Sequence, residues 1–192
     1  MIQHEQEFYR TLELYGINHN DVCIIGSSVI ARAGFRNNND IDITLRPSAR
    51  EALIKSHSDL NVNSTLQLIN LSENIQVCRE RYGVIGIKDY DLFSDDDNYS
   101  EDYNGIRIAK FELEIAKKLR RLEPKDQKDL VEIGRASRIN NYDWEKIFYL
   151  AYFNGEKICV NPVNNKAGLL RRIARRVKRI INKILPVSSC TH

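Results

Sequence analysis

The sequence predicts an α/β (α+β) fold followed by C-terminal helices and an amphipathic basic tail helix. Short apolar runs of strand type, Val22–Ile25, Ile41–Leu45 and Ile106–Ala109, alternate with stretches whose apolar residues recur at helical spacing. The hydrophobic fraction of 42% and charged fraction of 29% are those of a globular chain, not a disordered one. A length of 192 residues suits one main domain with an appendage. Boundaries are expected at 1–122, 123–160 and 161–192.

Residues 3–16 place Phe8, Leu12 and Tyr15 on one helix face, with Gly16 as the stop. The apolar run at 22–25 follows and is cut off by Gly26-Ser27-Ser28. A glycine there lets the backbone turn sharply into a helix over 29–33, whose first N–H groups suit an anion. The next run, 41–45, carries Asp40 and Asp42 at its start. Strand side chains alternate, so both carboxylates are expected on one face, with Ile41 and Ile43 on the other. Carboxylates held that close repel each other unless a cation lies between them. An all-oxygen donor set suits Mg²⁺ or Mn²⁺, which complete their shell with water and a substrate's phosphates. Turn and acidic pair together describe a site for a phosphorylated small-molecule donor that carries pyrophosphate or triphosphate.

The order of strand, Gly-Ser, helix and Asp-x-Asp within residues 22–45 resembles the nucleotidyltransferase superfamily that includes DNA polymerase β. The resemblance implies a small mixed sheet with flanking helices of nucleotidyltransferase type. It also implies metal-dependent attack on the donor and a third carboxylate on a neighbouring strand. Catalytic Asp40 and Asp42 would be joined by Glu80, which lies at the end of the alternating stretch 75–81. A surface glutamate paired with Arg79 or Arg81 fits Glu80 equally well. Donor contacts fall to Gly26, Ser27 and Ser28, with Arg36 as a further phosphate ligand.

After residue 45, Arg46-Pro47 is expected to break the strand and Ser48 to cap a helix with Glu51 in a capping box. Residues 62–81 read as strands and turns. Residues 82–105 are acidic, and Asp95-Asp96-Asp97 is too irregular for a calcium loop, so a solvated loop is expected. The run at 106–109 reads as the last strand, leading into a helix over 111–122 that buries Phe111, Ile115 and Leu119. The succession of Glu, a helix with Lys117 and Lys118, then Lys125-Asp126-x-x-Asp129 is similar to nucleotidyltransferase-like proteins of bacterial genomes. On that reading Lys117, Lys125, Asp126 and Asp129 belong to the donor site. On local geometry alone, Asp126 caps the following helix and Asp129 pairs with Lys125 at i, i+4. A further helix is expected from 142, with Trp144 and Phe148 on its apolar face.

Charge is partitioned. Residues 166–185 hold eight Lys or Arg and no acid, whereas the remainder carries 21 basic and 26 acidic residues, a net of −5. In this stretch Leu169, Leu170, Ile173, Val177, Ile180, Ile181 and Ile184 form one helical stripe. Arg171, Arg172, Arg175, Arg176, Lys178 and Arg179 mostly take the other side. Such a helix suits an anionic membrane surface. Docking on a partner or on the acidic body is the alternative. The absence of interleaved aromatics argues against nucleic acid as its partner. No apolar run reaches the roughly 20 residues of a membrane span, and residues 1–20 do not read as a signal peptide. Cys23, Cys78, Cys159 and Cys190 show neither zinc nor disulfide spacing. A cytoplasmic location, peripheral at the inner membrane face, is expected.

The resemblance extends to enzymes of bacterial surface-polysaccharide assembly, O-antigen or capsule, whose acceptor is a lipid-linked glycan. It implies an enzyme that releases pyrophosphate, with a nucleoside triphosphate or phosphoribosyl pyrophosphate as donor. A toxin or antitoxin-type nucleotidyltransferase acting on RNA or protein, and a regulator of the same fold without chemistry, are the alternatives.

Overall fold

The computed structural model describes residues 2–60, 62–63, 68–79, 82–94, 98–135 and 142–153. The expectations for Glu80, Asp95-Asp96-Asp97 and the basic tail lie outside the described residues. The fold is α/β. One seven-stranded mixed sheet runs in the order β3-β4-β5-β2-β1-β7-β6. Its strands are β1 (Val22–Ile25), β2 (Ile41–Leu45), β3 (Val62–Asn63), β4 (Leu68–Asn70), β5 (Ile75–Val77), β6 (Ser100–Tyr103) and β7 (Ile106–Ala109). The helices are α1 (Glu5–Leu14), α2 (Ser27–Arg32), α3 (Pro47–Ser56), α4 (Phe111–Arg121), α5 (Pro124–Arg135) and α6 (Trp144–Phe153).

Strands β1 and β2 are buried at every position, as central strands covered on both faces must be. They pair antiparallel with Ile25 opposite Asp42, while β7 runs parallel to β1 and β5 parallel to β2. One end of the sheet therefore carries the last residues of β1 and β7 and the first residues of β2 and β5. Both halves of the candidate site lie at that end. Val22, Ile24, Ile41, Ile43, Ile75, Val77 and Ile108 build the centre of the core. Ile133, Ile147, Leu150 and Ala151 from α5 and α6 join the same core. A stack of Phe35, Phe111 and Tyr142 closes over the start of α4, with Phe111 and Tyr142 centroids 3.9 Å apart. No helix among the described residues is long and apolar enough to cross a membrane.

Four local expectations change. Pro47 does not merely end β2: it is the first residue of α3, and Ser48 makes no cap. Proline's fixed φ and missing N–H cost nothing at that position, where the donor is unpaired anyway. The strand at 75–81 stops at Val77. Residues 82–94 and 98–105 are not a solvated loop. Tyr82, Ile85, Ile87, Leu92 and Phe93 are buried, short 3₁₀ turns span Gly83–Ile85 and Asp89–Phe93, and β6 pairs with β7. The apolar residues between the aspartates decide the outcome, because each buried Ile or Leu contributes about 1.5–3 kcal/mol. Finally, α2 starts at Ser27, two residues before the expected 29.

Candidate active site at the Gly26 turn

Gly26 ends β1 at φ +73 and ψ −142, a conformation that only glycine adopts without strain. A Cβ added at Gly26 would overlap Asp42 Oδ2 and come within 3.0 Å of Asp42 Cβ. The absent side chain is thus the space that the Asp42 carboxylate fills. Asp40 lies one residue before β2, and its Oδ1 accepts the Ser27 hydroxyl at 3.2 Å. The structure therefore brings Gly26, Ser27, Asp40 and Asp42 together, as the sequence predicts. Ser28 plays a different part: it is fully buried, and its hydroxyl donates to the Asp40 carbonyl at 3.2 Å. Asn38 Nδ2 also donates to the Asp40 carbonyl, at 3.0 Å. Ser28 and Asn38 hold the chain entering β2 so that Asp40 meets the turn.

Behind the turn is a buried ionic cluster. The Gly26 N–H donates to Glu114 Oε1 at 2.7 Å, and the Tyr82 hydroxyl donates to the same oxygen at 2.6 Å. Lys117 Nζ lies 2.6 Å from both oxygens of Glu114 and 4.8 Å from the Tyr82 ring centroid. Glu114, Lys117 and Tyr82 are all buried. Burial opposes ionisation of Glu114, but the Lys117 charge, with the Lys117 and Tyr82 hydrogen bonds, outweighs it and holds the carboxyl at about 2. Burial, reinforced by the Glu114 charge, pushes the Tyr82 phenol well up. The ammonium of Lys117, expected on donor phosphates, faces Glu114.

The other expected donor residues form a second cluster between α4 and α5. Lys118 Nζ contacts Asp126 Oδ1 at 3.3 Å and Asp129 Oδ2 at 2.7 Å. Arg121 grips Asp126 in a bidentate manner at 2.7 and 2.8 Å, and Arg36 Nη1 meets Asp129 at 3.0 Å. Asp129 therefore pairs with Lys118 and Arg36, not with Lys125, which is exposed and 3.9 Å from Glu123. Asp126 is the third residue of α5, not the cap ahead of a helix that follows it, and its carboxylate reaches back to accept the Glu123 N–H at 3.2 Å. Burial disfavours the Asp126 carboxylate, yet the Arg121 hydrogen bonds and the Lys118 charge hold its pKa down. The geometry places Arg36, Asp126 and Asp129 together.

Sequence reasoning missed Glu114, Tyr82 and Cys78. Glu114 had a legible signal, because it falls three residues after Phe111, within the apolar stripe of α4, and three before Lys117. Cys78 is buried, with Sγ 3.4 Å from Asp42 Oδ1. In β5 the residue paired with Asp42 is Gln76.

Among the described residues, no three His, Cys, Asp or Glu side chains are grouped to hold a metal ion. The donor set at the turn is the two carboxylates. Their all-oxygen chemistry is the kind that Mg²⁺ or Mn²⁺ takes, and the space beside Gly26 is occupied by the Asp42 carboxylate itself. No family model, no curated protein and no solved structure matches the chain.

Proposed function

We propose that the chain is a metal-dependent transferase that moves a group from a pyrophosphate-bearing donor to an acceptor and releases pyrophosphate. The observation that carries this reading is the packing of Asp42 into the space that Gly26 leaves open, with Asp40 tied to Ser27 beside it. Asp40 and Asp42 would hold a divalent cation, which would neutralise charge on the departing pyrophosphate. Ser27 orients Asp40 through its hydroxyl, and Glu114 fixes the turn through the Gly26 N–H. An acceptor hydroxyl oxygen forms the new bond as the bond to pyrophosphate breaks, and the hydroxyl proton passes to solvent. With a nucleoside triphosphate the oxygen attacks phosphorus; with phosphoribosyl pyrophosphate it attacks the anomeric carbon.

The acceptor is a lipid-linked glycan in bacterial surface-polysaccharide synthesis, and the amphipathic basic segment 166–185 holds the chain at the anionic inner face of the membrane. The test is transfer of radiolabel from each donor into a lipid-linked glycan fraction at saturating Mg²⁺. Asp40→Asn and Asp42→Asn are expected to lower transfer about a thousandfold or more while the fold persists. Substantial transfer in both variants contradicts the mechanism.

A second reading has its own observation. Gln76, not a carboxylate, stands across from Asp42 on β5, which favours a regulator that keeps the fold and the ligand without the chemistry. Such a regulator binds donor and metal but transfers nothing in the same assay.

A further inference from the structure

Asp40 stands one residue ahead of β2, and the peptide that joins it to Ile41 is gripped from both sides. The Asp40 carbonyl accepts Asn38 Nδ2 at 3.0 Å and the Ser28 hydroxyl at 3.2 Å. The Ile41 N–H donates to the Asn74 carbonyl at 2.7 Å. A planar peptide held at both of its polar atoms has little freedom to rotate. The direction in which Asp40 leaves the chain is therefore set by where Asn38 and Asn74 stand.

Both asparagines are held in turn by the start of α1. Asn38 is buried, and its Oδ1 accepts the Gln3 N–H at 2.9 Å. Glu7 reaches the turn between β4 and β5. Its Oε2 accepts Asn74 Nδ2 at 3.0 Å, and its Oε1 accepts the Ser72 hydroxyl at 2.7 Å. Those two hydrogen bonds hold the Glu7 pKa below its ordinary value, so both oxygens serve as acceptors at neutral pH. The Tyr15 hydroxyl, from the residue after α1, donates to the Leu71 carbonyl of the same turn at 3.1 Å.

The chain bends sharply to enter this arrangement. His4 has φ +64, a left-handed conformation that a residue with a side chain keeps where surrounding contacts over-determine it. Those contacts are on either side: Ile2 is buried, the Gln3 N–H is bonded to Asn38, and His4 Nδ1 lies 3.4 Å from Glu7 Oε2. We propose that the first turn of α1 is a clamp on Asp40. Glu7, acting through Asn74, and the Gln3 backbone, acting through Asn38, are its positioning groups, and the role rests on the reading of Asp40 as a cation ligand.

The test follows amide hydrogen exchange at Ile41 and in β1 of the full-length chain, with a Mn²⁺ titration by electron paramagnetic resonance on the same samples. Glu7→Ala is expected to speed exchange at Ile41 about tenfold or more, to leave β1 within about twofold, and to weaken Mn²⁺ about fivefold or more. Glu7→Gln keeps an acceptor for Asn74 and a donor for the Ser72 oxygen, so it should restore each value to within about twofold of wild type. Asn74→Ala keeps the carbonyl that Ile41 uses but cuts its link to Glu7, and should reproduce Glu7→Ala. It decides the matter if Glu7→Ala does not fold. Equal acceleration at Ile41 and in β1, which a merely structural glutamate would produce, overturns the proposal. So does unchanged exchange at Ile41, or Mn²⁺ affinity that Glu7→Ala leaves intact. If the wild type binds no Mn²⁺, the cation reading fails on its own, and exchange at Ile41 still decides whether α1 clamps Asp40.

Discussion

Glu114 is a fully buried carboxylate on a helix that also buries Lys117 and Lys118, and its partners explain how it remains ionised there. It accepts the Gly26 N–H and the Tyr82 hydroxyl, and it faces Lys117. Replacing it with Gln removes the carboxylate that Lys117 faces in the core, which is expected to cost about 3 kcal/mol near neutral pH. The loss is pH-dependent. A carboxyl whose folded pKa is lowered to about 2 stabilises the fold fully above its unfolded value near 4.5. That stabilisation is lost as the pH falls through about 2. Urea unfolding of wild type and Glu114→Gln is therefore expected to converge as the pH drops from 4.5 towards 2; a constant gap contradicts the assignment. Gly26→Ala is expected to cost about 1–3 kcal/mol, because its Cβ overlaps Asp42 and its φ is positive. It should also displace Asp42 and abolish transfer. Ser28→Ala, which removes one buried hydroxyl bonded to a carbonyl, should cost about 1 kcal/mol by the same measurement and spare most activity.

At the level of elements, α4 contributes to both ionic clusters. Its Glu114 and Lys117 support the Gly26 turn, and its Lys118 and Arg121 clamp Asp126 and Asp129 of α5. Lys118→Met leaves two buried carboxylates short of their shared cation, so it is expected to destabilise the fold by about 3 kcal/mol in urea unfolding. A change under about 0.5 kcal/mol means that Arg36 and Arg121 suffice alone. These are also the elements where sequence reading was uneven. The boundaries of β1, β2 and β7 were legible because 22–25 is a continuous apolar run and 41–45 and 106–109 place an apolar residue at every second position. The turn and the acidic pair were legible because glycine and aspartate carry geometry and charge locally. The pairing of Asp129 was not, since its partners lie 11 and 93 residues away and sequence spacing offered only Lys125. The buried residues from 82 to 93 were hidden for a similar reason: their acidic neighbours dominate the composition, while burial depends on the packing of α4 against them.

On the scale of the whole molecule, the elements described between residues 2 and 153 share one hydrophobic core around the sheet, and the basic segment 166–185 follows in sequence. A chain ending at Asn165 is expected to stay folded and to transfer to a soluble acceptor analogue as fast as the full chain. It should lose binding to anionic vesicles and slow with a lipid-linked acceptor, because the segment raises local acceptor concentration. Vesicle binding of the full chain should weaken with added salt. Co-sedimentation with vesicles of defined anionic lipid content checks each point, and equal binding by both chains contradicts the role given to the segment.

On the proposed function, Asp40 and Asp42, set against the Gly26 turn, hold a divalent cation together with pyrophosphate. A Mn²⁺ titration followed by electron paramagnetic resonance, on the full-length chain with and without pyrophosphate, tests it without requiring turnover. Mn²⁺ is expected to bind saturably, more tightly with pyrophosphate, and about tenfold or more weakly in Asp40→Asn, Asp42→Asn and Gly26→Ala. Equal Mn²⁺ affinity in the wild type and both Asn variants, with or without pyrophosphate, would contradict it.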